Sequence, residues 1–199
     1  YESSLGASSL RRRRTNIIGI LVSEFEPYST ELLKGISAGA AGTGFELLAY
    51  SGNVSQGPVG WEQRSLSRLA WLIDGAVIVT PTESLVDAAI PVVAVDPHAG
   101  PTGPVSVDAD NVGGAASATS HLIQLGHRRI AHVGGRTDLE SSRQREQGYR
   151  EALLAAGLPF DPEILRVGGY RADDTTEVAR ALLTLADRPT AVFAVNDLS

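Results

Sequence analysis

At 199 residues, 43% hydrophobic and 20% charged, the chain has the composition of an ordinary globular protein, with room for one large domain or two small ones. It has no Cys, which excludes disulfides and thiolate metal sites, and no apolar run of about 18 residues, which excludes a membrane-spanning helix. The net charge of −6 is unevenly placed: residues 1–16 hold four Arg and one Glu, a formal +3, leaving −9 on the rest. A basic arm on an acidic body suggests a body that does not bind polyanions by itself, tethered to something that meets phosphate. The chain also contains no Met, so we expect it to be a piece of a longer product.

Beyond Arg11 to Arg14, apolar β-branched runs alternate with helix-period segments. Ile17 to Val22 reads as a strand buried on both faces, and Ser29 to Ala41 as a helix with Leu32, Leu33, Ile36 and Ala40 on one side. Phe45 to Tyr50 is a second strand, Trp61 to Leu72 a helix, and Ala76 to Val79 a third strand. A helical turn is expected over Ser84 to Ala89, then a strand from Pro91 to Val95 running into Asp96. Residues 98–104, rich in Gly and Pro, break the pattern before Val105 to Val107, and a subdomain boundary is expected near Asp108. The alternation resumes with a helix from Asn111 to Leu125, a strand Arg129 to Val133 and a helix Ser142 to Ala156. A strand near Ile164 to Val167, a helix Asp173 to Leu185 and a strand Ala191 to Val195 follow. This is an α/β pattern of parallel sheets covered by helices, one sheet on each side of residue 108. The expected organisation is a linker over 1–16, a first lobe over 17–107 and a second over 108–199.

Several motifs carry little chemistry. Gly35-Ile36-Ser37-Ala38-Gly39 matches a hydrolase nucleophile elbow, but that chemistry needs the serine on a strand-to-helix turn, and Ser37 lies inside a helical pattern. The two glycines, one turn apart, are expected to let a neighbouring element approach the helix backbone. Gly134-Gly135 follows a strand without the spacing of a phosphate loop, and His127 and His132 have no acidic neighbour suited to a metal. His121 and His127 are read as packing or capping a helix end. No catalytic residue, metal or cofactor is expected.

The ends of the strands are more informative. Ligands of open α/β sheets bind beyond the carboxyl ends of the strands. Those positions here hold Ser23, Tyr28, Thr80 and Asp96 in the first half, and the loop from Gly134 to Arg145 with Asn196-Asp197 in the second. Carboxylate, amide, guanidinium, hydroxyl and aromatic groups together read the hydroxyls and the apolar face of a sugar. The same residues also have ordinary uses: Asp96 as a turn residue, Asn196 or Asp197 as a helix cap, Arg145 as a surface ion-pair partner.

Leu122-Ile123-Gln124-Leu125-Gly126-His127-Arg128-Arg129-Ile130-Ala131 followed by Val133-Gly134-Gly135 closely resembles the LacI/GalR family of bacterial transcription regulators. So do Ser142-Arg143-Gln144-Arg145 with Gly148-Tyr149, Pro91-Val92-Val93 with Val95-Asp96, and Pro189-Thr190-Ala191 leading to Asn196-Asp197. These blocks stand in the family's order and spacing over the whole chain. The resemblance implies a two-lobed, periplasmic-binding-protein-like fold with a small-molecule effector, a sugar or related metabolite, between the lobes. It implies Ser23, Tyr28, Asp96, Arg145 and Asn196 as effector contacts, with Arg143 beside them. One of the family's paired aromatics in the first loop is replaced by Ser29.

Residues 1–10 resemble the family's hinge segment, which forms a short helix on operator DNA and wedges a Leu into the minor groove. Ala7, Leu10, Arg11 and Arg12 are the hinge residues implied to meet DNA, while Gly6 lowers helix propensity by about 1 kcal/mol relative to Ala. The family pattern also has a helix-turn-helix before the hinge and continues past the position of Ser199. The implied function is a DNA-binding regulator, a repressor, acting as a cytoplasmic homodimer with no membrane partner. The alternative is an exported solute-binding protein of the same fold with no DNA role.

Overall fold

The computed structural model describes residues 14–52, 60–85, 88–98, 105–170, 172–197 and 199. The hinge positions Ala7, Leu10, Arg11 and Arg12 therefore lie outside the described residues. The chain forms two compact units, Tyr1–Asp108 and Ala109–Ser199.

In the first unit five parallel strands run in the order β2-β1-β3-β4-β5. They are β1 (Ile17–Val22), β2 (Glu46–Ser51), β3 (Gly75–Val79), β4 (Val92–Val95) and the short β5 (Ser106–Val107). β1 and β3 lie inside the sheet, and Ile20, Leu21, Val22, Ile78 and Val79 are almost completely buried. This is why those two segments read as unbroken apolar runs rather than alternating ones. Helix α1 (Pro27–Ala40) begins with Pro27, whose missing N–H costs nothing at a first helical position, and Ser29 Oγ bonds the Glu24 carbonyl at 2.9 Å. It gives way to Gly42 and Gly44, both at positive φ, which turn the chain into β2. Helix α2 (Trp61–Leu69) packs Trp61 and Leu66 into the core with Leu21, Ile73 and Ile78. At the centre of the turn expected over 84–89, residues 86 and 87 lie outside the description; Ala88 N–H bonds the Leu85 carbonyl at 3.2 Å.

The second unit has three parallel strands in the order β7-β6-β8: β6 (Ile130–Gly134), β7 (Leu165–Val167) and β8 (Ala191–Ala194). Helix α3 (Asn111–Gln124) is capped by Asp110, whose carboxylate accepts from Gly113 N–H at 2.8 Å. Helix α4 (Glu140–Ala155) starts two residues ahead of its sequence-based boundary, and α5 (Ala172–Leu183) precedes β8. Packing of α3 on α4 needs Gly148: a Cβ there would stand 2.2 Å from the Val112 carbonyl oxygen and 2.9 Å from Ala115 Cβ. The close backbone approach expected at Gly35 and Gly39 is not there. Among the described residues nothing lies within 4 Å of a Cβ built on either glycine, and most of α1 faces outward.

Two further features fix the units. In the second, His132 is fully buried between the rings of Tyr149 and Phe193, at centroid distances of 5.2 and 4.9 Å. Its Nδ1 lies 3.0 Å from the Phe193 carbonyl and therefore carries the hydrogen, leaving Nε2 as a buried acceptor with no partner among the described residues. Burial accordingly lowers its proton affinity below that of an ordinary histidine. Tyr149 donates to the Ile130 carbonyl at 2.8 Å, and desolvation raises its pKa to about 12.

In the first unit, Asp74 grips the chain where it enters β1. Its carboxylate accepts from the Thr15 N–H (2.8 Å), the Thr15 hydroxyl (3.0 Å) and the Asn16 N–H (2.8 Å). Its own N–H donates to the Ile17 carbonyl at 2.8 Å. The Thr15 amide bond, then the other donors and the nearby Arg14, hold this carboxyl below the usual carboxylate range.

Candidate functional site

In each sheet the chain steps from a central strand first to one side and then to the other. The crevice at such a reversal, beyond the carboxyl ends of the strands, is where α/β sheets take ligands. In the first unit the reversal lies between β1 and β3, and in the second between β6 and β8.

Beyond β1 comes Ser23, half-buried, its carbonyl accepting from the Ser51 hydroxyl at 3.0 Å. Beyond β3 and β4 come Thr80 and Asp96, which share an unusual backbone: both have φ of 49°, although neither is glycine. The left-handed region is sparsely used by such residues and marks positions where the surroundings over-determine the turn. The surroundings here are sheet-like bonds carried past the strand ends: Thr80 N–H to the Val95 carbonyl at 2.7 Å and Asp96 N–H to the Val107 carbonyl at 2.9 Å. Asp96 is buried, and Tyr28, in the first turn of α1, donates its hydroxyl to the Asp96 carboxylate. The loop after Thr80 is tied from behind by Glu62 of α2, whose Oε1 accepts from the Thr82 N–H (2.6 Å) and hydroxyl (2.9 Å). So Tyr28, Thr80 and Asp96 belong to one polar edge, with Ser23 on the neighbouring strand.

The second unit assembles donors. Arg145, one turn ahead of Tyr149 on α4, bonds Asn111 Oδ1 through Nε (2.8 Å) and the Val195 carbonyl, just past β8, through Nη1 (2.6 Å). Asn111 is in turn held by Gln144 at 3.2 Å. Arg145 is thus fixed to the carboxyl end of β8 rather than splayed over the surface. Arg143 is placed differently: it pairs with Glu140 at 2.6 Å and bonds the Thr137 carbonyl at 3.0 Å, clamping the loop before α4. Two residues apart on a helix, the two arginines face different ways. Asn196, past β8, donates to the Tyr170 carbonyl at 3.2 Å and accepts from Ser199 Oγ at 2.5 Å.

Tyr170 was not singled out from the sequence. It lies past β7, its hydroxyl is 3.3 Å from Ser141 Oγ, and its ring covers Gly135, where a Cβ would come within 2.4 Å of Cζ. One aromatic residue thereby touches the ends of all three strands. The only hint of it was an aromatic directly after the glycines Gly168-Gly169 in a strand-end loop. Asn111, the first residue of α3 as its sequence suggests, is also a partner of Arg145. His127, expected to pack or cap, bonds Thr190 Oγ1 through Nδ1 at 3.0 Å. Among the described residues no group of three or more His, Asp or Glu is placed to hold a metal ion, and no helix is long and apolar enough to cross a membrane. Ser37 sits within α1, away from any strand-to-helix turn.

Polar side chains set at the ends of parallel strands are the arrangement in which α/β bodies take small molecules. Residues 15–199 match the family model of periplasmic binding proteins and the sugar-binding domain of the LacI family, and the chain belongs to that family. It is similar to the HTH-type transcriptional regulator CelR of Thermobifida fusca, 33% identical over 212 residues, covering 100% of this chain and 62% of that protein. The HTH-type transcriptional repressor PurR of Aliivibrio salmonicida is 29% identical over 210 residues, covering 100% of this chain and 61% of its own. Among solved structures, a transcriptional regulator CelR–cellobiose complex superposes with a TM-score of 0.80 at 31% identity, over 98% of this chain and 66% of that one. The chain thus spans about three-fifths of the length of these curated relatives.

Proposed function

We propose that this chain is the effector-binding body of a DNA-binding transcriptional regulator, a repressor, whose operator affinity is set by a carbohydrate. Ser23, Tyr28 and Asp96 take hydroxyls as acceptor-side contacts, Arg145 and Asn196 serve as donor-side contacts, and Tyr170 offers its ring to a sugar face. Arg143 acts on the ligand only through the loop it clamps. The observation that carries the reading is the pairing of chemistries: a carboxylate bonded by a phenol past β4 in one unit, and in the other a guanidinium held by the Asn111 amide and tied to the carbonyl just past β8. The CelR relative's complex with cellobiose supports a β-linked glucoside as the first candidate. The protein works as a cytoplasmic homodimer, with Ala7, Leu10, Arg11 and Arg12 meeting operator DNA, and it has no catalytic step.

The test is calorimetric titration of the full-length protein with cellobiose, maltose, glucose and ribose, with a nucleobase as the non-sugar control. Binding of one sugar, lost in both Asp96→Asn and Arg145→Ala, is the expected result. A protein that takes none of the sugars, or whose two variants bind as the parent does, would remove the carbohydrate assignment.

A further inference from the structure

The four arginines end at Arg14, and the next two residues, Thr15 and Asn16, are those gripped by Asp74. The grip is unusually complete for so short a stretch. One carboxylate uses both oxygens, taking two backbone amides and one hydroxyl, while its own amide reaches across to the Ile17 carbonyl. Asn16 is held at φ 57°, a backbone state that an unsupported Asn would adopt only part of the time, and its carbonyl accepts from Glu46 N–H at 2.8 Å. Thr15 Oγ1 also accepts from the Ile17 amide at 3.3 Å. The point at which the basic arm leaves the body is therefore pinned to β1, β2 and the turn before β3.

This knot lies at the amino ends of the strands. Thr80 and Asp96 lie at the carboxyl ends of β3 and β4; from Asp74 to Thr80 the chain crosses the five residues of β3, six steps or about 20 Å at 3.3 Å per residue. Asp74 therefore makes no part of the candidate ligand site. Resting on the regulator reading above, we infer that Asp74 is the anchor through which ligand binding in the body is felt at DNA. Its carboxylate clasps Thr15 and Asn16 and so removes slack between the first unit and the arginine-bearing arm.

The magnitudes favour a pinned arm. Shifts that couple sites in regulatory proteins are often about 1–2 Å. Two freed residues would each add about 3.3–3.6 Å of reach, roughly 7 Å per arm, which would absorb such a shift before it changed the spacing of two arms. The carboxylate charge suits the place, since Arg14 follows the arm out and draws no repulsion from Asp74.

The experiment uses the full-length protein, its Asp74→Ala and Asp74→Asn variants, and a duplex selected by the parent from a random-sequence pool. Affinity for that duplex is measured with and without saturating cellobiose, or with whichever sugar of the panel above binds. The parent's ratio should fall within the about 5–150-fold range typical of coupled sites. Both variants should bind the sugar as the parent does and show a ratio below about 2-fold, because the signal is generated but not passed on. A purely structural Asp74 would lower the melting temperature and leave the ratio intact, which would overturn the inference. If Asp74→Ala fails to fold, amide exchange on the parent decides instead. Thr15 and Asn16 amides that exchange as freely as an open chain would refute the clasp, and protection that persists on DNA would support it. A parent with no sugar-dependent change removes the regulator reading and the inference together, whereas equal ratios in parent and variants remove the inference alone.

Discussion

The two units present opposite chemistry at equivalent places, and they hold it by different means. In the first, the acceptor Asp96 sits on a loop, set by a left-handed backbone and bonded by the Tyr28 phenol. In the second, the donor Arg145 rides on a helix, and its aim depends on how closely α4 lies against α3, since Asn111 belongs to one and Arg145 to the other. The acceptor is thus a matter of local conformation, while the donor is a matter of helix packing. A loop can change its residues with little effect on the core. A packed helix pair cannot.

The sharpest way to break this contrast is Gly148→Ala. Its methyl group would meet the backbone of Val112 rather than a movable side chain, so α3 and α4 must separate. A loss of about 3 kcal/mol or more is expected, read by denaturant unfolding, with the second unit melting before the first. Asn111→Ala should be milder. It leaves Arg145 with the Val195 carbonyl and should weaken sugar binding about tenfold, roughly 1.4 kcal/mol, without a comparable change in unfolding. A larger effect from Tyr28→Phe than from Asn111→Ala would reverse the assignment of which side is the more firmly built.

Acid separates the units as well. The proton affinity of His132 is lowered by burial, so below its ordinary value of 6.5 the unfolded chain takes a proton that the folded one refuses. Stability of the second unit is fully present above that pH and declines as pH falls below it. Unfolding midpoints at pH 7.5 and 5.5 should therefore differ in the parent, and the gap should shrink in His132→Leu. The smallest effect expected is a gain. Gly39→Ala on α1 meets open space and should stabilise the first unit by about 0.5–1 kcal/mol through helix propensity alone. A loss there would show that α1 packs against something in the assembled protein.

That pair of glycine substitutions also shows where the sequence was informative. The strands were plain because two-sided burial leaves an unbroken apolar signature, as in β1 and β3. The spacing of glycines on a helix was equally plain, but spacing does not say what lies opposite. The close approach that such spacing suggests for Gly35 and Gly39 occurs instead at Gly148. Asp96 and Asn196 are legible as candidates because they come just past strand ends, where α/β ligands go, whereas Arg145 reaches a strand end only from within α4. Tyr170 and Asn111 escaped since their partners lie 29 and 34 residues away, and no local periodicity encodes such a pairing. The same holds for Asp74, whose partners lie 58 and 59 residues away across the sheet.

One absent atom in the second unit sets a limit on design. The ring of Tyr170 can lie across the strand ends only because position 135 carries no side chain. Gly135→Ala would collide with the far end of a pivoting ring rather than with rigid backbone, so the ring would swing aside at little cost to folding. A single methyl group there is a ready-made volume control. Natural drift or a library at that one codon could reset the space at the strand ends by moving one ring, leaving Arg145 and Asn196 unchanged.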